Sequence, residues 1–425
     1  MHDAACLLRN ADPDGQSSEV LTMTHLNKLN HYKVLPQIAG WKTLLVAFAA
    51  RAPFAMLPLG VLTAVSATTG SVATGGLATG VTALSAAIAG PLIGKWADRR
   101  GQQLPLQYLT PVNALALLGL YLSVQFLQPL PLILLFAVIT GFSSLPIGSF
   151  TRSRWVSSTR MPHELSAALS YESMADELVF VLGPAVVGIV ASLFAPVAPL
   201  LIAFILTATV GMIFAFSPVP HAVGTESAKE REKTNQEPGV KLLPVLALIV
   251  PTIIAMIAIG MLFGGIQSAL TARANLLGIG GSAGLIYSAM GIGSAIMAIF
   301  TVVIPESLSL PKRLLISGLG TSVMVLLTAY VGGITTTALS LFLIGLFIGP
   351  GMVTAFSITE DLAPANGVSI AMTAMQSSVT IGVSFGAALV GIIAQSHGDS
   401  IAFVTASLTG IIIAGVGLFL ALKKR

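Results

Sequence analysis

Long apolar runs separated by short polar breaks recur along most of this chain. Twelve of them, at residues 43–65, 72–95, 105–125, 130–150, 165–192, 198–217, 243–266, 282–304, 313–332, 336–358, 367–394 and 400–422, match the span of a membrane. A helix rises about 1.5 Å per residue and needs roughly 20 apolar residues to cross the hydrocarbon. The runs are continuous rather than alternating, which predicts helices and excludes the strands of a membrane barrel. Two stretches interrupt the pattern: the polar residues 1–40, and PHAVGTESAKEREKTNQEPGVK at 220–241, a charged string that reads as a solvated linker. The expected organisation is a tail at 1–40, a six-helix bundle at 41–218, a linker at 219–242, a second six-helix bundle at 243–422 and a short C-terminus at 423–425. This is an all-α polytopic membrane protein in two pseudo-symmetric halves.

Composition agrees with the pattern. Of 425 residues, 55% are apolar and 9% charged, against roughly 25% charged in a soluble domain. Charge then sets the orientation. With both termini placed in the cytoplasm, all of the 21 Lys and Arg except Arg51 and Arg273 fall on the cytoplasmic side, as the positive-inside rule requires. Among them, Arg152 to Arg160 are assigned to the loop after span 4. The first 40 residues hold no apolar core with a cleavage site, so no cleavable secretory signal is expected. Met23, opening MTHLNKLNHYK, is an alternative start.

Cys6 is the single cysteine and no histidine falls within a span, so neither a disulfide framework nor an intramembrane metal site or histidine relay is expected. Clustered catalytic side chains are also missing. The chain is expected not to be an enzyme, to need no cofactor and to bind no nucleic acid.

The halves repeat. AMLPLGVL at 55 resembles AMIAIGML at 255, GFSSLP at 141 resembles GLFIGP at 345, and GPAVVGIVA at 183 resembles GAALVGIIA at 386. Three matches in one order at nearly one offset indicate a duplicated unit, a construction suited to two halves rocking about a site near the midplane.

Between spans 2 and 3 lies GKWADRRG, Gly94 to Gly101, with the spacing GxxxDRxG. This string resembles the signature loop of the major facilitator superfamily, and the span count, the central linker and the repeat agree with that family over roughly residues 40–422. Physically, Gly94 permits close approach of backbones and Gly101 a tight reversal. Asp98 offers a carboxylate to the positive start of a helix in the other half. The resemblance makes that partner the start of helix 11, around Asn366 to Ser369. Arg99 and Arg100 are suited to carboxylates or lipid phosphates. Where the family has basic residues after the second glycine, this chain has Gln102 and Gln103. GPLIGKW is one residue short of a phosphate loop and has Trp96 at the metal-binding position. Transport would then be driven by an ion gradient or by the substrate's own.

VLGPAVVG in span 5, with Gly183, Pro184 and Gly188, resembles the helix-5 motif of the family's 12-span drug:proton antiporters. These residues are expected to let the helix bend and approach the other half. Such antiporters usually carry an Arg within helix 4, and span 4, read as 130–150, contains no charge.

Ionisable groups at membrane depth are functional candidates, because each costs about 2.5–3.5 kcal/mol to insert. Arg51 in span 1 and Glu172, Asp176 and Glu177 in span 5 are the group; Glu172 and Asp176 share a face and Glu177 is turned away. Arg51 is expected to pair with an acid, and protonation of Asp176 or Glu177 to exchange with substrate. Glu172 lies close enough to the surface to be solvated. In the repeat, Arg51 corresponds to Pro251 and Asp176 to Val379, so the charges belong to one half.

The resemblance places helices 1, 4, 7 and 10 around the path. Candidate polar lining is Thr140, Ser143, Ser144, Gln267, Thr354, Gln376, Ser377 and Thr380, and candidate apolar lining is Met56, Phe142, Met256, Met261, Phe263 and Phe347. The expected protein is a monomeric, multi-pass inner-membrane transporter exporting small amphipathic or drug-like compounds by alternating access, with protons and lipid as partners. A dedicated exporter or importer of one metabolite is the alternative within the class; a non-transporting receptor or scaffold is the alternative outside it.

Overall fold

The computed structural model describes residues 34–159, 161–218, 242–300, 307–364 and 368–423. All regular elements among the described residues are helical. The N-terminal half comprises α1 (Leu35–Ala39), α2 (Trp41–Thr69), α3 (Val72–Arg100), α4 (Gln103–Gln125), α5 (Leu130–Phe142), α6 (Ile147–Ser158), α7 (Pro162–Leu193), α8 (Ala198–Leu206) and α9 (Met212–Phe216). The C-terminal half comprises α10 (Leu242–Leu276), α11 (Ala283–Phe300), α12 (Leu310–Thr328), α13 (Ile334–Leu362) and α14 (Val368–Lys423). Ten of the described helical stretches are long and apolar enough to cross a membrane. One of these, Ala371–Lys423, turns at Gly398, whose φ of 85° is outside helical geometry. Dividing it there and adding α11, which borders residues outside the described set, gives a twelve-helix bundle.

Helix ends follow local chemistry. The left-handed Gly70 (φ 67°) closes α2, and the Ser71 side chain accepts from the Thr74 N–H to open α3. Helix α3 continues through Arg100 and stops at Gly101, with φ 82°. GKWADRRG is therefore the last turns of a helix rather than a loop.

Span 4 also differs from the expected single run. It breaks at residues 143–146 and resumes as α6, which carries Arg152 and Arg154 to Ser158. Pro146 has no N–H and pushes Leu145 away from helical geometry, while the Ser143 hydroxyl turns back to the Ile139 carbonyl at 2.6 Å. The repeat counterpart keeps Pro350 inside an unbroken α13. Arg152 and Arg154 thus lie on a helix continuing span 4, correcting their assignment to a loop. Arg154 is buried, stacked 4.3 Å over Phe214 and bonded to Gln102 at 3.3 Å. Helices α8 and α9 are joined by a π-helical turn at Thr207–Gly211.

The repeat is visible in packing. A Cβ at Gly183 would lie 2.9 Å from Ala55, and one at Gly386, its counterpart, 2.2 Å from the Met261 carbonyl oxygen. Asn113 donates to the Thr140 carbonyl at 2.9 Å and to Ser143 Oγ at 3.0 Å; Ser317, one repeat on, donates to the Phe347 carbonyl at 2.6 Å. Each bond ties the third helix of its half to the fourth.

The halves meet along two glycine seams. In one, Gly76 and Gly80 of α3 face Ala387 and Ser384 of α14, with Ser384 Oγ donating to the Gly80 carbonyl at 2.6 Å. The Val72 N–H donates to Gln395 Oε1 at 2.9 Å. In the other, Gly188 of α7 faces Gly284 and Leu285 of α11, and the Ser192 and Ser282 hydroxyls are 3.1 Å apart. Among the described residues, nothing lies within 4 Å of a Cβ position at Gly94, toward the opposite end of α3. The start of helix 11 around Asn366, expected to meet this end of α3, lies outside the described residues.

The C-terminal half has its own buried cation. Arg273 is held by Asp399 at 2.5 Å, donates to the Thr328 carbonyl at 2.7 Å and stacks 4.5 Å over Phe403. It joins α10 to the end of α12 and to the second limb of α14. Arg273→Met is expected to destabilise the fold by about 3–5 kcal/mol by stranding Asp399. Thermal unfolding in detergent checks this.

Candidate functional site

The densest charged cluster at membrane depth lies where α2, α6 and α7 meet. Helix periodicity explains its composition: Thr151 and Trp155 are four apart on α6, and Glu172 and Asp176 are four apart on α7, so each pair projects from one face. Arg51 enters from α2, which packs against α7 with Phe54 edge-on to Phe180 at 6.3 Å.

Glu172 is 1% exposed and Arg51 5%, so neither reaches bulk water. Arg51 Nη2 donates to Glu172 Oε2 and, at 2.5 Å, to Thr151 Oγ1. Thr151 Oγ1 is 2.5 Å from Glu172 Oε2, and Trp155 Nε1 donates to Glu172 Oε1 at 2.8 Å. Both carboxylate oxygens are therefore occupied. Asp176, one turn further along α7, lies between two cations, with Arg51 Nε at 3.4 Å and Arg152 Nη2 at 2.6 Å. This outer pair is partly solvated, with Asp176 28% and Arg152 36% exposed. Gly148 leaves the room: a Cβ there would lie 3.1 Å from Asp176 Oδ1 and 3.2 Å from Arg152 Nη1.

Burying an isolated charge is prohibitive, but two cations and two anions in this arrangement balance.

Arg51, Glu172 and Asp176 are thus brought together, as expected. Glu172, however, is the innermost acid rather than the solvated one, because α6 extends beyond the apolar run and covers it with Thr151 and Trp155. The side chains of Glu177, Asp98 and Arg99 lie outside the described residues, as do Asn366 and the side chain of Ser369. Arg100 is exposed at the end of α3. Gly188 contacts the other half as expected; Gly183 instead packs on Ala55 of its own half. Among the cavity candidates, Met56, Thr140, Met256 and Thr354 are sealed in helix packing, and Ser143, Ser144 and Gln267 are buried. Phe142 and Gln376 are exposed, while Met261, Phe263, Phe347, Ser377 and Thr380 are partly so. Sequence reasoning missed Thr151, Arg152 and Trp155. Extending the helical period past residue 150 would have placed them on the face turned to span 5. No group of three or more metal-ligating side chains occurs among the described residues.

The profile of the Major Facilitator Superfamily matches residues 43–341, well over half of the chain. No curated protein sequence matches. Among solved structures, a point mutant of the nucleoside transporter NupG superposes with a TM-score of 0.69 at 14% identity, covering 88% of this chain and 98% of that one. A point mutant of the peptide transporter POT in complex with alafosfalin gives 0.66 at 15% identity, covering 93% and 98%. The human organic anion transporter MFSD10 gives 0.58 at 14%, covering 88% and 97%. At such identities these likenesses carry the fold alone. The matched profile, the twelve-helix bundle and the paired halves lead to one conclusion: this chain belongs to the Major Facilitator Superfamily and is a multi-pass secondary transporter, not an enzyme.

Proposed function

We propose that this transporter exchanges protons for small amphipathic or drug-like compounds, in the export direction, and that Arg51, Glu172 and Asp176 carry the coupling. The observation that carries this reading is the four-membered ion cluster in one half, with Arg51 and Glu172 buried and Asp176 and Arg152 partly solvated, where the other half has Pro251 and Val379 at the repeat positions of Arg51 and Asp176. The helix-5 glycine seam at Gly188, where an opening leak would otherwise form, supports the antiporter reading. So does the buried Arg154 on the continuation of span 4.

The distribution of basic residues supports an orientation with both termini cytoplasmic, and on this reading the chain acts as a monomer in the cell inner membrane. In that orientation the glycine seams at Gly76, Gly80 and Gly188 lie toward the outside and Gly94 toward the cytoplasm. Asp98 would latch the halves at the cytoplasmic end, where the end of α3 meets the start of helix 11.

The test is accumulation of a fluorescent amphipathic cation such as ethidium in cells with and without the gene, before and after a protonophore. Export is expected only with the gene and only while the proton gradient stands. Export indifferent to the protonophore would remove the coupling, and accumulation unaffected by the gene across a compound panel would remove the substrate class.

A further inference from the structure

We propose that Thr151 is the positioning residue that lets Glu172 take up and release a proton without stranding a buried polar group, by turning one hydroxyl between two sets of partners. The inference deepens the proton-coupling reading and rests on it.

Thr151 Oγ1 lies 2.5 Å from Arg51 Nη2, 2.5 Å from Glu172 Oε2, 3.0 Å from the Gly148 carbonyl oxygen and 3.2 Å from that of Ile147. A hydroxyl has one proton and two lone pairs. It cannot donate to the carboxylate and to a backbone carbonyl together, so four neighbours compete for three capacities. The competition resolves into two complete patterns. With Glu172 ionised, the Thr151 O–H donates to Oε2, and Oγ1 accepts from Arg51. When the cluster opens to water and Oε2 takes up a proton from hydronium, the carboxylate becomes a carboxylic acid and its new O–H donates to Oγ1. The Thr151 O–H then turns to the carbonyl of Gly148 or Ile147. Oγ1 now accepts from both Glu172 and Arg51, filling its lone pairs.

Neither the Thr151 hydroxyl hydrogen nor the carboxyl hydrogen of Glu172 is left unpaired in either pattern. Trp155 donates to Oε1 in both. Among the described residues, the charged and titratable groups around Glu172 and Asp176 are Arg51 from α2, Arg152 from α6 and Tyr171 from α7. Once Glu172 is neutral, the acid within reach of Arg51 is Asp176, at 3.4 Å from Nε. The guanidinium's charge pairing thereby moves one turn along α7, and Arg51 Nη1, which has no hydrogen-bond partner among the described residues, is available for it.

The chain has three tryptophans, and one of them is bonded to the titrating acid. In a Trp41→Phe/Trp96→Phe background, Trp155 reports alone, and its emission is followed against pH in purified detergent-solubilised protein. One step is expected. Glu172→Gln should abolish it. Thr151→Val should displace it along the pH axis, since a donor to the ionised acid is lost. Thr151→Ser should titrate with the parent. A step that survives Glu172→Gln, or no step in the parent, overturns the coupling reading itself. A step lost in Glu172→Gln but unmoved in Thr151→Val overturns the Thr151 assignment alone. Thr151→Ser departing from the parent as Thr151→Val does would also overturn it, since shape rather than the hydroxyl would then matter.

Discussion

Arg51→Met is expected to destabilise this transporter by about 3–5 kcal/mol, because it leaves Glu172 buried among Thr151 and Trp155 with its charge uncompensated. The penalty comes from the stranded partner rather than from the value of the pair. Removing both charges should therefore recover most of the loss: buried ion pairs replaced by apolar side chains are often neutral in stability. The double variant Arg51→Met/Glu172→Met should fold and remain monodisperse in detergent yet transport without regard to pH. Thermal unfolding of the single and double variants separates the two contributions. If the double variant is as unstable as the single one, the cluster is a structural strut and its role in coupling loses support.

The second large effect is expected at Gly188. A Cβ there would lie 2.2 Å from the Leu285 nitrogen and 2.9 Å from the Gly284 carbonyl carbon. Both are backbone atoms, which cannot step aside as a side chain can. Gly188→Val must part α7 from α11 or bend one of them, disfavouring the closed end of the bundle. A shift of about 1.4 kcal/mol in that equilibrium is tenfold in population, and transport should fall by at least as much. Leu59, fully buried and packed toward Gly284, supplies the reporter. In a Cys6→Ser, Leu59→Cys protein, labelling by a water-soluble maleimide should be slow and should accelerate on adding Gly188→Val. Unchanged labelling would mean that this seam does not gate.

Much of the architecture is legible in the hydrophobic pattern because lipid imposes a simple demand: every spanning backbone must satisfy its own hydrogen bonds, and length and apolarity then suffice to find the helices. The repeat is legible for a related reason. Seams such as Gly183 with Ala55 and Gly386 with Met261 need the same small residue in each half. What the pattern conceals is where a span ends when its last turns are polar. Apolarity stops near residue 150, but the helix runs on to Ser158, carrying the hydroxyl, the guanidinium and the indole that enclose the span 5 acids. Burial is equally hidden. Glu172 looks nearer the surface than Asp176 by position alone, and only the packing of Trp155 and Thr151 reverses that order.

The central claim is that Glu172, held by Arg51, carries the coupling proton. Its most direct test is proton movement in vesicles reconstituted with purified protein and loaded with a pH-sensitive dye, driven by a gradient of a compound the cellular assay has identified. The account predicts that the compound gradient moves protons the opposite way in the parent protein. With Glu172→Gln the compound should still exchange but the dye signal should vanish. Proton movement of equal size in Glu172→Gln and parent vesicles would contradict it.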